Sequence, residues 1–484
     1  MMLTIEYVPS VLAALEQAFP TPPNRAKQQL DKYLALLERL MRFSLLKRSP
    51  LAHKYNAYDI PLTKLINGSP TINNKRYRVH QWLGANGMAL VKNINANANN
   101  ITKEIAVLKP TANLIVKNDN LLKYLQTLTA PKLDAYLSAL TQDWQDLIAD
   151  YQSHYNSLSV KDKKSQYFTS PVDIPALKRY MTSIVQGATV LNKYQQENTI
   201  VQAEYVLRLA QVTNGLLHQK IDKKAFGRTY YEGVSVLSTR KELRMAFLGS
   251  SWEYDCKSCS TAWKMSFATQ WHAQKKSRQL DVRHTFAAMT LYLEDKDAFF
   301  DAVILELYNS QPTPEYKATI KEAMTALGFG AKLSMGTWRS DTGEESQSSL
   351  FEVFDKDKVI LKRFIDCYLV KQFNSEQQTL NKFIVAKFSV DKKWQAEMAA
   401  EQQRKKIKQF SAAQKIVWLY QHAETIMMDM VRAEVKKSGN TVLANVHDAV
   451  VVRNQIPAKL LAKIERKLQL RTGVGYFRLG ETGY

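Results

Sequence analysis

Two aspartates in the second half of the chain are the residues whose type and surroundings best suit catalysis. Asp255 and Asp448 each lie where a short apolar, strand-like segment meets polar residues. Two such carboxylates, brought together, can hold two divalent ions about 4 Å apart, the arrangement used for in-line phosphoryl transfer. Mg²⁺ suits this role because it prefers oxygen ligands and keeps coordination positions for substrate phosphates. We therefore predict a site for two Mg²⁺ ions, although a His-Asp pair by itself is more often a turn or an ion pair.

A cationic segment between the two aspartates carries groups that suit a nucleotide. Lys317 and Lys321 are four residues apart, so they share one face of a helix. Phe329 follows two turns beyond Lys321, on the adjoining face. The two cations suit a triphosphate, and the ring suits a base or a sugar. A surface helix with an aromatic core anchor accounts for the same residues, and for this segment alone it is the stronger interpretation.

The order of these residues resembles motifs A and B of the single-subunit RNA polymerases of phages and mitochondria, which share a palm-and-fingers core with the DNA polymerase I family. Motif A of the family is an Asp followed by a run that contains Ser-Cys-Ser, and residues 255–260 read Asp-Cys-Lys-Ser-Cys-Ser. Motif B of the family is Arg-x3-Lys-x7-Tyr-Gly. The chain follows this pattern at Lys317, Lys321, Phe329 and Gly330.

Two further elements extend the resemblance. His447 and Asp448 match the first two residues of the family's motif C, His-Asp-Ser. Upstream, Gly227 and Arg228 match the end of an Asp-x2-Gly-Arg element, which in the family contacts the template–product hybrid. The resemblance implies that Arg228 grips the hybrid backbone and that His447 lies beside the 3′ end of the product.

The chain departs from the family pattern at several positions. Lys317 replaces an Arg, Phe329 replaces a Tyr, and Ala449 replaces the Ser of motif C. The Ser-Cys-Ser run is displaced by one residue, and the interval from Arg228 to Asp255 is far shorter than in the family. The resemblance begins near residue 222. The N-terminal lobe matches nothing in the family, so we do not expect family-style promoter recognition.

The resemblance also implies roles in metal and phosphate binding. Asp255 and Asp448 would bind both metal ions, with the backbone carbonyl of Cys256 as a further ligand. Lys321 would neutralise the triphosphate of the incoming nucleotide and protonate the leaving pyrophosphate. Lys317 would hold the outer phosphates, as a point charge rather than a bidentate fork.

The resemblance also implies which residues bear on the choice of sugar. Phe329 and Gly330 would lie in the nucleotide site. Ser260 stands where related DNA polymerases carry a Glu that blocks a ribose 2′-hydroxyl, and this small side chain leaves room for a ribonucleotide. Phe329 lacks the hydroxyl with which RNA polymerases favour ribose. We therefore expect RNA synthesis with relaxed sugar discrimination.

Composition narrows the class of protein. The chain has 484 residues, and 67 Lys and Arg against 45 Asp and Glu give a net charge of +22. Such an excess suits a polyanion, because each neutralised phosphate releases counterions. No apolar run approaches the length of a membrane span, and the N-terminus does not read as a signal peptide. Three cysteines cannot form a disulfide framework. We expect a cytoplasmic protein that handles nucleic acid and has no membrane partner.

The elements that must position these residues follow from apolar spacing. Helices are predicted over residues 26–46, 121–151 with a break at Pro131, 195–217, 286–309, 316–327, 349–372, 392–436 and 457–468. A hairpin is predicted over residues 441–453, with Asp448 at or beside its turn. We expect a mostly helical α+β protein with the right-hand polymerase fold, comprising a small antiparallel palm sheet, helical fingers and a helical N-terminal lobe. The predicted domains are residues 1–215, the N-terminal or thumb-like lobe, and residues 216–484, the palm and fingers.

We therefore predict template-directed nucleotidyl transfer, as DNA-dependent RNA or primer synthesis by a two-metal mechanism. The expected partners are nucleoside triphosphates, a DNA template and an RNA–DNA hybrid. A DNA polymerase remains an alternative, as does a non-catalytic replication or defence accessory that binds nucleic acid through a degenerate palm. An accessory protein for initiation and an origin on a phage or mobile element also stay open. A zinc or redox half-site at Cys256 and Cys259 is disfavoured because the chain has no second such pair.

Overall fold

The computed structural model divides into two compact units. It describes residues 3–22, 24–46, 55–72, 77–94, 105–118, 120–140, 142–222, 228–274, 281–336, 338–339, 345–346, 349–405 and 409–484. Unit 1 comprises Met1–Asp222 and Tyr230–Ser250, and unit 2 comprises Lys223–Thr229 and Ser251–Tyr484. Helices predominate, and the sheets are small and antiparallel, so the predicted α+β class is confirmed. The domain boundary predicted after residue 215 directly precedes a strand of unit 1, Leu216–Asp222.

Unit 1 contains helices α1 to α11 and strands β1 to β10. The helices span Pro9–Ala18, Arg25–Leu46, Leu62–Gly68, Val79–Ala85, Leu121–Gln126, Ala130–Ser138, Gln142–Ser157, Val160–Gln166, Ile174–Val185, Lys193–Val212 and Lys241–Leu248. The strands span Leu3–Tyr7, Tyr58–Pro61, Thr71–Ile72, Tyr77–Arg78, Val91–Asn93, Ile105–Pro110, Leu114–Asn118, Tyr167–Pro171, Leu216–Asp222 and Tyr230–Tyr231. Pro131 lies in the first turn of α6, where its missing N–H would have no helical partner in any case.

A buried charge pair joins α6 to α10 in unit 1. Arg208 and Glu204 are both fully buried on α10, 3.3 Å apart. The guanidinium of Arg208 also donates to the carbonyl oxygens of Tyr136 and Leu137 at the end of α6. These bonds satisfy a charge that would otherwise be costly to bury.

Unit 2 contains helices α12 to α23 and strands β11 to β16. The helices span Cys259–Met265, Ala268–Gln274, Val282–Thr285, Ala287–Glu294, Lys296–Tyr308, Pro314–Gly328, Ser349–Val353, Lys358–Asp366, Tyr368–Ser389, Lys392–Lys405, Ala412–Lys437 and Ala458–Thr472. The strands span Trp252–Cys256, Trp338–Arg339, Glu345–Ser346, Val442–Val446, Ala449–Val452 and Leu479–Gly483.

A four-stranded antiparallel sheet lies at the centre of unit 2, in the order β14-β15-β11-β16. Strands β14 and β15 form the predicted hairpin, with His447 and Asp448 at its turn. Strand β15 is buried along its whole length, as its unbroken Ala-Val-Val-Val sequence indicates. Apolar side chains of the sheet and the helices form one continuous core, which includes Tyr254, Val450, Met289, Phe299 and Met428.

The predicted helix over residues 286–309 is two helices, α15 and α16. They meet at Asp295, whose side chain accepts a hydrogen bond from the backbone N–H of Ala298 and so caps the second helix. The apolar spacing continues across this cap, which is why the pattern alone does not reveal the break. As a result, Lys296 lies at the first position of α16.

The helices can also be compared with the dimensions of a bilayer. Within the ranges given above, no helix is both long and apolar enough to cross a membrane.

Candidate active site

Strand pairing brings the two predicted metal-binding aspartates to the same end of the central sheet. Asp255 on β11 is opposite Ala449, the first residue of β15. The backbone N–H of Cys256 donates to the carbonyl oxygen of Asp448, at 2.9 Å. Asp255, near the end of β11, and Asp448, in the turn that precedes β15, therefore lie close together, as the two-metal hypothesis requires.

A glycine on the other neighbouring strand makes room for one of these carboxylates. Gly480 on β16 is opposite Asp255. A Cβ atom at Gly480 would overlap Asp255 Oδ1 and lie 3.1 Å from Lys257 Cε. The absent side chain thus lets the Asp255 carboxylate lie across β16.

The environment of Asp448 concentrates negative charge. Desolvation raises the pKa of Asp448, and the nearby carboxylates of Glu424 and Asp255 raise it further, while Arg228 acts in the opposite direction. Water still reaches the side chain, which is exposed. An accessible carboxylate surrounded by this much protein and by like charges is a favourable ligand for a cation.

The donor set fits Mg²⁺. Asp255 and Asp448 would supply carboxylate oxygens, and the backbone carbonyl of Cys256 is a further candidate ligand. Such a sparse protein shell suits an ion that keeps several waters and binds substrate phosphates. Among the described residues, no group of three or more His, Cys, Asp or Glu side chains could hold a metal ion. A closed structural metal site is therefore not seen in this part of the chain.

An ion pair between Arg228 and the fully buried Glu424 lies near Asp448. The guanidinium of Arg228 donates to both oxygens of Glu424, with Nε–Oε2 2.5 Å and Nη2–Oε1 2.8 Å. Tyr420 also donates to Glu424, which is fully buried. Burial alone would lower the pKa of Arg228, but the bonds and charge of Glu424 raise it, so the guanidinium stays charged. The predicted contact of Arg228 with a hybrid stays a prediction, and Gly227 lies outside the described residues.

Lys321 lies in a cluster of cations near Asp255 that the sequence pattern does not reveal. Burial, and to a smaller extent the charge of Lys321, lower the pKa of Lys296 to about 8, while the charge of Asp255 acts in the opposite direction. These interactions place Lys296 within electrostatic reach of both residues. Its ammonium donates to Ser258 Oγ at 3.0 Å and lies 4.9 Å from the centre of the Tyr292 ring. Lys296 thus joins the exposed Lys321 as a second candidate phosphate ligand.

Lys317 has a different environment from Lys321. Its ammonium forms ion pairs with Asp297 at 2.9 Å and with Asp301 at 3.0 Å, both on α16. Hydrogen bonds to these two carboxylates raise the pKa of Lys317. Its predicted role in holding the outer phosphates is untested, but a phosphate would have to compete with two carboxylates.

Phe329 and Gly330 line a cavity at the C-terminal end of α17. The cavity has a volume of about 460 Å³, and its polar lining includes Gln377, Asn381 and Lys382. The Phe329 side chain is 39% exposed. Gly330 has a φ of +95°, and a Cβ there would lie 2.8 Å from the Cβ of Ala413, so glycine is required by the backbone.

The remaining predicted residues flank the carboxylate pair. Ser260 lies in the first turn of α12, which follows β11. His447 adopts a left-handed conformation, with φ of +43°, and lines a small polar pocket with Arg228 and Asn445. Burial strongly raises the pKa of the Cys256 thiol, which disfavours a reactive thiolate.

Comparisons with known proteins give a structural similarity only. No family model and no curated protein matches the chain. The chain has a weak structural similarity to "POL domain of Pol1 from M. smegmatis complex with DNA primer-template and dNTP", with a TM-score of 0.32 and 12% sequence identity. The match covers 75% of this chain and 65% of that structure, less than two thirds of its length.

We predict that Gly480→Ala weakens divalent-metal binding. The new methyl group would displace the Asp255 carboxylate, and loss of such support typically lowers metal affinity by about tenfold or more. Mn²⁺ binding followed by electron paramagnetic resonance measures the effect. Gly475→Ala is the matched control, because a Cβ there meets nothing within 4 Å. Equal Mn²⁺ affinity in the two variants would argue against Asp255 as a ligand.

Proposed function

We propose that this chain catalyses template-directed nucleotidyl transfer. The observation that supports the proposal best is the position of Asp255, near the end of β11, beside Asp448, in the turn that precedes β15, with Cys256 N–H bonded to Asp448 O. Lys296 lies within electrostatic reach of both Asp255 and Lys321. Paired carboxylates with cations beside them suit the transfer of a charged phosphoryl group, in which positioning and electrostatic stabilisation supply most of the catalysis.

Each group has a distinct part in this reaction. Asp255 and Asp448 would hold two Mg²⁺ ions, which stabilise the attacking and leaving oxygens of an in-line displacement. Lys321 and Lys296 would bind the triphosphate, and Lys321 would donate a proton to the departing pyrophosphate. His447 would lie beside the 3′ end that receives the nucleotide.

The product that we propose is RNA, as a transcript or a primer made on a DNA template. Ser260 is small enough to leave space for a ribose 2′-hydroxyl. Phe329 offers an exposed ring but no hydroxyl, so it cannot donate a hydrogen bond to the sugar. We therefore propose ribonucleotide use with tolerance of deoxynucleotides, and activity as a DNA polymerase is the second candidate.

The proposed binding of nucleic acid is driven by the net positive charge of the chain. The net charge of +22 favours a DNA template and an RNA–DNA hybrid through counterion release. Arg228 is anchored by Glu424, and its side chain is 19% exposed, so a backbone phosphate would have to contact it through this exposed edge. A non-catalytic binding protein would share the overall charge but would not need both aspartates.

The first test removes the carboxylates. Asp255→Asn and Asp448→Asn should each reduce nucleotide incorporation at least a thousandfold while changing template affinity less than threefold, because the carboxylates act in the transition state and surface charge drives binding. Single-turnover primer extension and fluorescence anisotropy measure the two quantities. Near-normal incorporation by either variant would exclude the two-metal assignment.

The second test compares three lysines. Lys321→Met and Lys296→Met should each raise the KM for the nucleotide by about tenfold or more, because each removes a charge from the triphosphate site. Lys317→Met should raise it less than threefold, because Asp297 and Asp301 already bind that ammonium. Steady-state extension at varied nucleotide concentration gives the values. A larger effect at Lys317 than at the other two would restore it as the main phosphate ligand.

The third test concerns sugar choice. Phe329→Tyr adds the hydroxyl that could recognise ribose, so the ribonucleotide preference should rise by the worth of one hydrogen bond, about 1 kcal/mol or roughly fivefold. Ser260→Glu should shift the preference toward deoxynucleotides by filling the space of the 2′-hydroxyl. Incorporation ratios for the natural protein and both variants decide the matter. An unchanged ratio in Phe329→Tyr would place this ring away from the sugar.

A further inference from the structure

A fully buried lysine, Lys264, contacts the C-terminal end of α17, the helix that carries Lys321. Lys264 is on α12 and is 0% exposed. Its Nζ donates to the carbonyl oxygen of Gly328 at 2.8 Å and to Gln377 Oε1 at 3.1 Å. Burial lowers the pKa of Lys264 to about 7. The two acceptors therefore bind two of the N–H donors of this buried amine.

Gln377, on a third helix, bonds both to Lys264 and to the C-terminal end of α17. Gln377 on α20 is 1% exposed, and its Nε2 donates to the carbonyl oxygen of Leu327 at 2.9 Å. The last carbonyls of a helix have no partner within the helix. Here side chains from α20 and α12 bind the carbonyls of Leu327 and Gly328, and the Leu327 carbonyl also accepts from the backbone N–H of Gly330.

The location of this contact connects it with the candidate active site. Helix α12 begins directly after β11, the strand that carries Asp255. Helix α17 carries Lys321, and Phe329 follows its last residue. The bond from Lys264 to Gly328 therefore ties the helix with the nucleotide-binding groups to the segment with the metal-binding carboxylate.

We propose that Lys264 and Gln377 are positioning residues, which fix the C-terminal end of α17 so that Lys321 and Phe329 stay aligned with the carboxylate pair. The proposal rests on the proposed function. Neither side chain needs to touch the substrate. Their effect on the reaction is exerted through the helix end, because misplacing a substrate-binding group by about 1 Å can slow a reaction by roughly a hundredfold.

Gln377→Leu and Lys264→Met test the proposal, with Gln469→Leu as the matched control. Gln469 Nε2 donates to the carbonyl oxygen of Phe477 at 2.9 Å, so its replacement removes the same kind of bond elsewhere in unit 2. Hydrogen exchange of a peptide covering residues 325–331 reports on the helix end. Steady-state extension separates KM for the nucleotide from kcat. Two independent variants keep the test usable if one fails to fold.

In both variants, exchange of this peptide should become at least tenfold faster, and KM for the nucleotide should rise by about tenfold with a smaller change in kcat. The control should change neither. Faster exchange with an unchanged KM would overturn the proposal by limiting the contact to stability. Unchanged exchange would overturn it by showing that the helix end is held otherwise.

The two proposals fail in distinguishable ways. A wild-type protein that incorporates no nucleotide would contradict the proposed function. Affinity for a fluorescent nucleoside triphosphate analogue would then replace KM as the readout. Reduced affinity in both variants, with a normal control, would support the positioning role, and unchanged affinity would overturn it.

Discussion

The antiparallel pairing of β11 with β15 is the constraint on which the candidate site depends. Asp255 and Asp448 lie far apart in sequence, and only this pairing makes them neighbours. Side chains alternate along a strand, so a register shift of one residue would turn Asp255 to the opposite face of the sheet. The buried valines of β15 hold the register through packing, and Gly480 on β16 leaves space for the carboxylate.

Charged side chains near Asp255 and Asp448 partly neutralise one another, and hydrogen bonds hold them in position. Glu424 adds a buried negative charge near Asp448, and Arg228 compensates it through a two-point contact. Removing one partner of a buried ion pair typically costs about 3–5 kcal/mol, so the two residues hold each other in place. Lys296 lies within electrostatic reach of Asp255 and of Lys321. The arrangement therefore places anionic groups next to cationic groups, as the proposed two-metal reaction requires.

Local pattern was sufficient to predict some of this arrangement. The apolar runs on either side of Asp448 predicted the hairpin of β14 and β15. The order of the motifs predicted that Asp255 would lie close to Asp448. The rest depended on contacts distant in sequence. The four-residue spacing of Lys317 and Lys321 predicts that they share one helix, and both lie on α17. The sequence pattern could not reveal the carboxylates that bind Lys317, because they belong to another helix, α16. No local pattern distinguishes Lys296 or the buried Lys264, because their environments are created by tertiary packing. The break at Asp295 was missed because a capping side chain interrupts the helix without interrupting its apolar spacing.

Primer extension by the wild-type protein tests the central claim most directly. The assay uses a primed DNA template, Mg²⁺, and either ribonucleotides or deoxynucleotides, with a matched reaction in excess chelator. The account predicts templated extension that requires the metal, is more efficient with ribonucleotides and remains measurable with deoxynucleotides. Tight template binding without any incorporation of either nucleotide would contradict it and would identify the chain as a non-catalytic nucleic-acid-binding protein.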